Sequence, residues 1–357
     1  MRLRRLARCH LLSRAPRERL LDVLHDVCGV QAQIGAAAEL AIAARVEGVT
    51  QADVRAELWE RRSIVKTWTL RGTLHLHPAD DVPLWAGAVR ACDPDWYGSE
   101  EGAVVLSAIE DALDGRCLLR SELAEEIEER VGPEAGKKVA SGWGYLIGQA
   151  ALAGKLCHGP PQGTRATFVR PDQWSGEWPE LDPREALAEA CRRYVATYGP
   201  TTPRAFAEWL GLRIAGARQV FASLELEEVD VAGRSAWGLG GESPPPAGAS
   251  VRLVPEYDAY VMAFREREEL VAPEARALVK AHPRGRFEGV AAVPTLLVSG
   301  RVAGVWRRDR QGKGIEITVE PVRRLSAEER RLVRHESERI GAFLGFRTTL
   351  RIATLRA

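Results

Sequence analysis

No stretch of about 18 consecutive apolar residues occurs in this chain, so no segment is suited to cross a bilayer as a helix. The opening Met1-Arg2-Leu3-Arg4-Arg5 is basic but has no long apolar region behind it, which argues against a secretory leader. A soluble, cytoplasmic protein with no membrane partner is the expectation. Neither sign of charge dominates: 50 Lys and Arg against 49 Asp and Glu leave a net charge of +1. A polyanionic partner would therefore have to be held by local clusters of charge. The six cysteines, at 9, 28, 92, 117, 157 and 191, include no CxxC pair, which argues against a zinc site and against a disulfide framework. No Ser, Cys or His sits in a nucleophile elbow or triad context, and no glycine-rich phosphate loop follows a strand. Acyl-transfer and nucleotide-hydrolysing chemistry are disfavoured, and neither a metal nor a cofactor is expected.

A chain of 357 residues exceeds what one core usually serves, so two or more subdomains are expected. Leu20, Leu21, Val23, Leu24, Val27 and Cys28 recur at helical spacing, and Gly29 is suited to the left-handed residue that ends such a helix. Gln31-Ala32-Gln33 follows on a short connector before the next apolar run, Ala36 to Val46. Thr50 is a natural N-cap for a helix over 51–61; 64–70 reads as a strand, Arg71-Gly72 as a tight turn, and Thr73 to His77 as a second strand. Helix, helix, strand, turn, strand is the plan of a winged helix. The layout returns with a helix opening at Leu118 to Leu123, another over 143–153, and a hairpin around Pro160-Pro161-Gln162-Gly163. A third version starts at Gly199, with Thr202 capping a helix that has Pro203 at its first position. Residues 172–183 and Gly238 to Ser250 read as linkers. Beyond them come strands at Val251 to Val254, Thr295 to Val298, Arg301 to Arg307 and Ile315 to Val319, with turns at Ser299-Gly300 and Gln311 to Gly314. A helix from Ser326 to Leu344, with Glu329 at capping-box spacing, closes this β-rich region.

Val30-Gln31-Ala32-Gln33, Arg71-Gly72-Thr73-Leu74-His75, the Thr202-Pro203 to Trp209 helix, Pro255-Glu256-Tyr257-Asp258 and Gly304-Val305-Trp306 together resemble the AlkZ/YcaQ family of winged-helix DNA glycosylases. The likeness runs nearly end to end, and its specificity lies in the set and its order. It implies an α+β fold of three tandem winged-helix modules, at 1–100, 101–182 and 183–245, followed by a C-terminal β-barrel over 246–357. It also implies removal of alkylated bases, including crosslinked ones, from double-stranded DNA. The family signature is Gln, apolar, then Gln or Asp; Gln31 and Gln33 match the Gln/Gln branch and become the candidate catalytic residues.

Protonating a departing base calls for an acid of suitable pKa, and a glutamine cannot titrate. A purine alkylated at N7 or N3 already carries positive charge and leaves as a neutral base. Two amides that orient the water and the sugar then suffice, because alignment lowers the barrier. The plainer reading makes Gln31 and Gln33 caps of the flanking helices. Lys66, Arg71 and His75 on the first wing, and Arg301, Arg307, Arg308, Arg310 and Lys313 on a hairpin of the barrel, are the candidate DNA contacts, and the resemblance places that hairpin near the lesion. The His75 and His77 pair lacks a clear third metal ligand. Asp258 reads as a structural carboxylate beside Arg265 or Arg267. With no lysine singled out as a Schiff-base nucleophile, a monofunctional, monomeric enzyme is expected. The alternative is a non-catalytic DNA-binding protein such as a transcription regulator.

Overall fold

The computed structural model describes residues 2–92, 97, 99–141, 145–240, 250–264, 270–281 and 289–353. Trp143, most of the Gly238 to Ser250 linker, and Arg265 and Arg267 lie outside the described residues.

The chain opens with α1 (Arg2–Arg8), α2 (Leu20–Asp26), the two-residue strand β1 (Val30–Gln31), α3 (Gly35–Ala43), α4 (Gln51–Trp59) and the hairpin of β2 (Ile64–Trp68) and β3 (Leu74–Pro78). After α5 (Val82–Arg90) a similar order returns. It comprises α6 (Glu100–Ala112), the two-residue β4 (Leu118–Leu119), α7 (Arg120–Val131), α8 (Pro133–Ala140), α9 (Tyr145–Leu152) and the hairpin of β5 (Cys157–Gln162) and β6 (Arg165–Val169). One turn of helix, α10 (Pro171–Trp174), interrupts the expected linker. Next come α11 (Pro183–Tyr198), α12 (Pro203–Leu210), α13 (Ile214–Ser223) and the hairpin of β7 (Glu227–Asp230) and β8 (Ser235–Gly238). The remainder holds β9 (Val251–Val254), α14 (Ala259–Ala263), α15 (Pro273–Ala281), β10 (Thr295–Val298), β11 (Arg301–Gln311), β12 (Gly314–Pro321), α16 (Ala327–Leu344) and β13 (Arg347–Ile352). No helix among the described residues is long and apolar enough to cross a membrane.

These elements form two compact units, one of Met1–Val54, Thr197–Pro200 and Leu239–Ala357, the other of Arg55–Ala196 and Thr201–Gly238. In the first unit the strands form a sheet ordered β13-β12-β11-β10-β9, antiparallel except where β13 runs parallel to β12. Its edge strands β13 and β9 do not meet, so the expected barrel is a curled half-barrel. Gly304 permits the close β11–β12 approach: a Cβ there would lie 2.4 Å from the Glu320 carbonyl oxygen. Trp306 packs inside and donates from Nε1 to the Val254 carbonyl at 2.8 Å. The Ser326 and Glu329 capping box opens α16 as its sequence signals.

Apart from Glu39, helix α3 is apolar on all sides, and it is buried from Ala37 to Ala43. Its last carbonyls, which no intrahelical amide can reach, are met by arginines: Arg45 Nη1 donates to Ala41 O at 2.8 Å, Arg14 Nε to Ala44 O at 3.1 Å, and Arg339 Nη1 to Ala43 O. Arg14 and Arg339 are in turn held by the buried Glu336. Burial alone would raise that carboxyl, but the surrounding guanidiniums keep it below the usual range.

In the second unit, Arg71 and Gly72 both adopt left-handed backbone (φ 57 and 63), which makes the expected turn of the β2–β3 hairpin. Trp68, Ile109, Leu123, Ile127, Leu146 and Phe168 share one core, and β4 joins the second hairpin in the order β4-β6-β5. Thr202 accepts from Ala205 N at 3.1 Å as the expected N-cap of α12.

Candidate functional site

The connector that carries the glutamines is set by the end of α2. Cys28 N donates to His25 O at 3.0 Å and Gly29 N to Leu24 O at 2.9 Å, the two bonds of a Schellman motif. The left-handed conformation expected of Gly29 (φ 88) therefore begins one residue earlier, at Cys28 (φ 59). Cys28 lies outside the helix, fully buried, with Sγ 3.7 Å from Thr197 Oγ1. Burying the thiol and Val27 anchors the turn, and the chain leaves it extended through Val30 and Gln31.

The motif alternates as an extended segment should. Val30 and Ala32 are buried, Gln31 is half-buried and Gln33 is exposed. Neither glutamine holds a cap position: α2 ends on Val27 through backbone bonds, and the N-cap of α3 is Ile34, which lends no side-chain bond. Oε1 of Gln31 is buried with no hydrogen-bond partner among the described residues. A buried carbonyl oxygen carries a free-energy cost of about 1–3 kcal/mol until a donor meets it. It can accept from a water or a substrate hydroxyl, and it cannot exchange a proton.

Charged groups lie near α3. Glu39 is buried on that helix and accepts from Gln51 Nε2 at 2.6 Å. Arg308 on β11 is half-buried; burial lowers its basicity, while the carboxylates of Glu256 and Glu39 act in the opposite direction. The other hairpin cations differ in their surroundings. Arg307 is exposed and paired with Glu320 and with Asp309 at 3.3 Å, Arg310 lies over the Phe346 ring at 5.0 Å, and Arg301 and Lys313 are exposed.

The first-wing candidates belong to the second unit. Lys66 is half-buried on β2. Arg71 donates from Nη1 to the Trp209 carbonyl, so much of its role is to tie the turn to the end of α12. His75 is only 2% exposed and its Nδ1 lies 3.0 Å from Thr73 O, which sets it inside the hairpin rather than on a phosphate-facing surface. Burial, helped by Arg71 and His77, holds its pKa well below the ordinary histidine value, so the ring is neutral. Among the described residues no group of three or more His, Cys, Asp or Glu side chains is arranged to hold a metal ion. An open cavity of about 590 Å³, lined by Glu101, Val104, Pro133 and Lys138 among others, contains none of the candidate residues.

Asp258 is structural, as expected, but its partner is Arg45. The two form a bidentate pair at 2.7 and 2.9 Å, 1% and 0% exposed, and Asp258 also accepts from Tyr260 N at 3.0 Å as the N-cap of α14. The partners stand 213 positions apart, and no local pattern announces that pairing.

The model of the family described as DNA glycosylase AlkZ-like matches residues 24–343 of this chain. The interstrand DNA cross-link repair glycosylase of Streptomyces sahachiroi is 33% identical over 307 residues, covering 80% of this chain and 81% of that protein. The solved structure of Streptomyces sahachiroi DNA glycosylase AlkZ matches with a TM-score of 0.81 at 28% identity, over 99% of this chain and 98% of that one. These likenesses set the regulator alternative aside. The chain belongs to the AlkZ-like family of DNA glycosylases, hydrolases of N-glycosyl bonds.

Proposed function

We propose that this enzyme hydrolyses the N-glycosidic bond of purines made cationic by alkylation, N7-alkylguanine and N3-alkyladenine, in double-stranded DNA, and leaves an abasic site without cutting the strand. The observation that carries the reading is the buried, unpartnered Oε1 of Gln31 two residues from the exposed Gln33. In this reading the Gln31 carbonyl orients the attacking water and the Gln33 amide meets the sugar or an adjacent phosphate. Fixed alignment of this kind can remove several kcal/mol from a barrier. Selectivity follows because neither amide can protonate the departing base, so only a base that leaves neutral is a good leaving group. Bulky and crosslinked purines are included because the Streptomyces relative is named for interstrand crosslink repair.

The repeated order of helices and hairpins supports three winged-helix modules, bounded near residues 100, 182 and 245. Lys66 and Arg71 on the first wing, and Arg301, Arg307, Arg308, Arg310 and Lys313 on the β11–β12 hairpin, are the proposed backbone contacts. His75 supports the wing from within.

The test is release of free base from a duplex containing N7-methylguanine. Gln31→Ala and Gln33→Ala should abolish release while the thermal midpoint stays near that of the parent. Lost stability with unchanged activity per folded molecule would restore the capping role. Robust excision of uracil, a neutral base, would contradict the selectivity.

A further inference from the structure

A helix leaves its last four carbonyls without an intrahelical amide. At the end of α2 each of them has a donor. Leu24 O and His25 O take the two Schellman amides, from Gly29 at 2.9 Å and Cys28 at 3.0 Å. The other two are met by side chains 171 positions away: Thr197 Oγ1 donates to Asp26 O at 2.6 Å and the Tyr198 hydroxyl to Val27 O at 2.8 Å. Both residues, the last two of α11, are buried, 6% and 1% exposed. Having given its proton to Asp26, Thr197 Oγ1 remains an acceptor for the Cys28 thiol, 3.7 Å away. Schellman bonds join the residues of one turn to each other and leave the turn able to tilt as a body, whereas the two hydroxyls fix it to the rest of its unit. Gln31 stands three residues beyond Cys28 on extended chain. That span is about 10 Å, so a tilt of about 6° at the turn moves Gln31 by about 1 Å.

We propose that Thr197 and Tyr198 are positioning residues for base release, their hydroxyls holding the turn after α2 so that the Gln31 carbonyl meets the attacking water in one orientation. The inference deepens the proposed function and rests on its reading of Gln31. Each side chain acts through the turn and takes no part in the bond breaking. What an amide contributes to this reaction is alignment, so loosening the turn shows in the rate of the chemical step and leaves the grip on DNA as it was.

Single-turnover release of N7-methylguanine over a range of enzyme concentrations separates the rate constant at saturation from the concentration that gives half-saturation. Tyr198→Phe and Thr197→Val each delete one hydroxyl and keep the shape of the side chain. The saturated rate should fall by roughly 10- to 100-fold, the scale of a misplacement of up to about 1 Å, with half-saturation unchanged. Thr197→Ser, which keeps the hydroxyl, should run at the parental rate. Tyr260→Phe controls for general softening: it removes a buried hydroxyl from Gly300 O, 2.8 Å away in the same unit, and should leave the rate as it is. Parental rates in folded Tyr198→Phe and Thr197→Val, or equal slowing by Tyr260→Phe, would overturn the proposal. Should one of the two deletions not fold, the other decides. Gln31→Ala keeps the failures apart: release at the parental rate from that variant sinks the proposed function and this inference together, whereas an inactive Gln31→Ala beside a fully active Tyr198→Phe sinks this inference alone.

Discussion

Replacing Asp258 by Asn removes one charge from the buried Arg45 pair and keeps a side chain able to cap α14. Burial by itself would lower the Arg45 pKa, but the Asp258 charge and hydrogen bonds more than offset it and hold the guanidinium charged. The charge then remains without a counter-ion at a site 1% exposed. Breaking such a pair from one side costs about 3–5 kcal/mol. The Asn carbonyl can still accept one bond from Arg45, so the low end, about 3 kcal/mol, is expected. Asp258→Ala should cost about 1 kcal/mol more, because the cap on Tyr260 N is also lost. Native-state hydrogen exchange of the amides of β9 and α3, which share a unit with the pair, reads this directly. A loss of 3 kcal/mol corresponds to a roughly 150-fold drop in protection where exchange requires opening of that unit. Joint replacement of Arg45 by Met and Asp258 by Leu should recover most of the loss, since no buried charge is stranded. Base release per folded molecule should be unchanged throughout. A change in protection of less than fivefold in Asp258→Asn would refute the charge-pair assignment, and loss of release in protein that remains folded would make Asp258 a chemical participant.

Two further expectations concern stability. Gly304→Ala places a methyl 2.4 Å from the Glu320 carbonyl and should cost at least about 3 kcal/mol, the upper end of ordinary overpacking, because backbone rather than a side chain must give way; urea denaturation measures it. His158, stacked on Trp68 at 5.0 Å, has its pKa pushed down to about 3, chiefly by burial and then by Lys66 and Arg120. The unfolded chain, with an ordinary histidine value near 6.5, takes up the proton first, so this contribution is complete above pH 6.5 and is lost as pH falls toward 3, by up to about 1.4 kcal/mol per pH unit. His158→Phe should flatten that dependence in part, the remainder coming from His77, whose pKa is held at about 4, from His75 and from carboxylates such as Glu336 held below their usual range, and an unchanged pH profile would refute the assignment.

Signals confined to a few neighbouring residues were legible. Arg71-Gly72 marks its turn, Thr202-Pro203 its helix start and Ser326 with Glu329 its capping box, because each is a local solution to unmet backbone groups or to left-handed geometry. Gly304 was visible only as part of a motif, and its reason appears once the backbone of β12 is seen against it. β13 was missed: Arg-Thr-Thr-Leu-Arg-Ile is an edge strand that alternates exposed with half-buried positions and never buries a full face, so its apolar period is weak. The left-handed Cys28 was missed because glycine stands beside it and is the commoner choice, whereas here burial of the thiol offsets the strain. For the site, Gln31 and Gln33 were named from the sequence, but their unequal exposure and the unmet Oε1 depend on contacts between distant segments.

In the proposed mechanism two uncharged amides suffice because the damaged purine is already cationic. The single-turnover rate of N7-methylguanine release, measured at saturating enzyme from pH 6 to 8.5, tests it most directly. A profile that keeps its shape when nearby carboxyl and histidine side chains are replaced is the expected result, since neither Gln31 nor Gln33 titrates. A rate that rises and falls through a titration in that range, and loses it when one carboxyl or histidine is replaced, would contradict the claim.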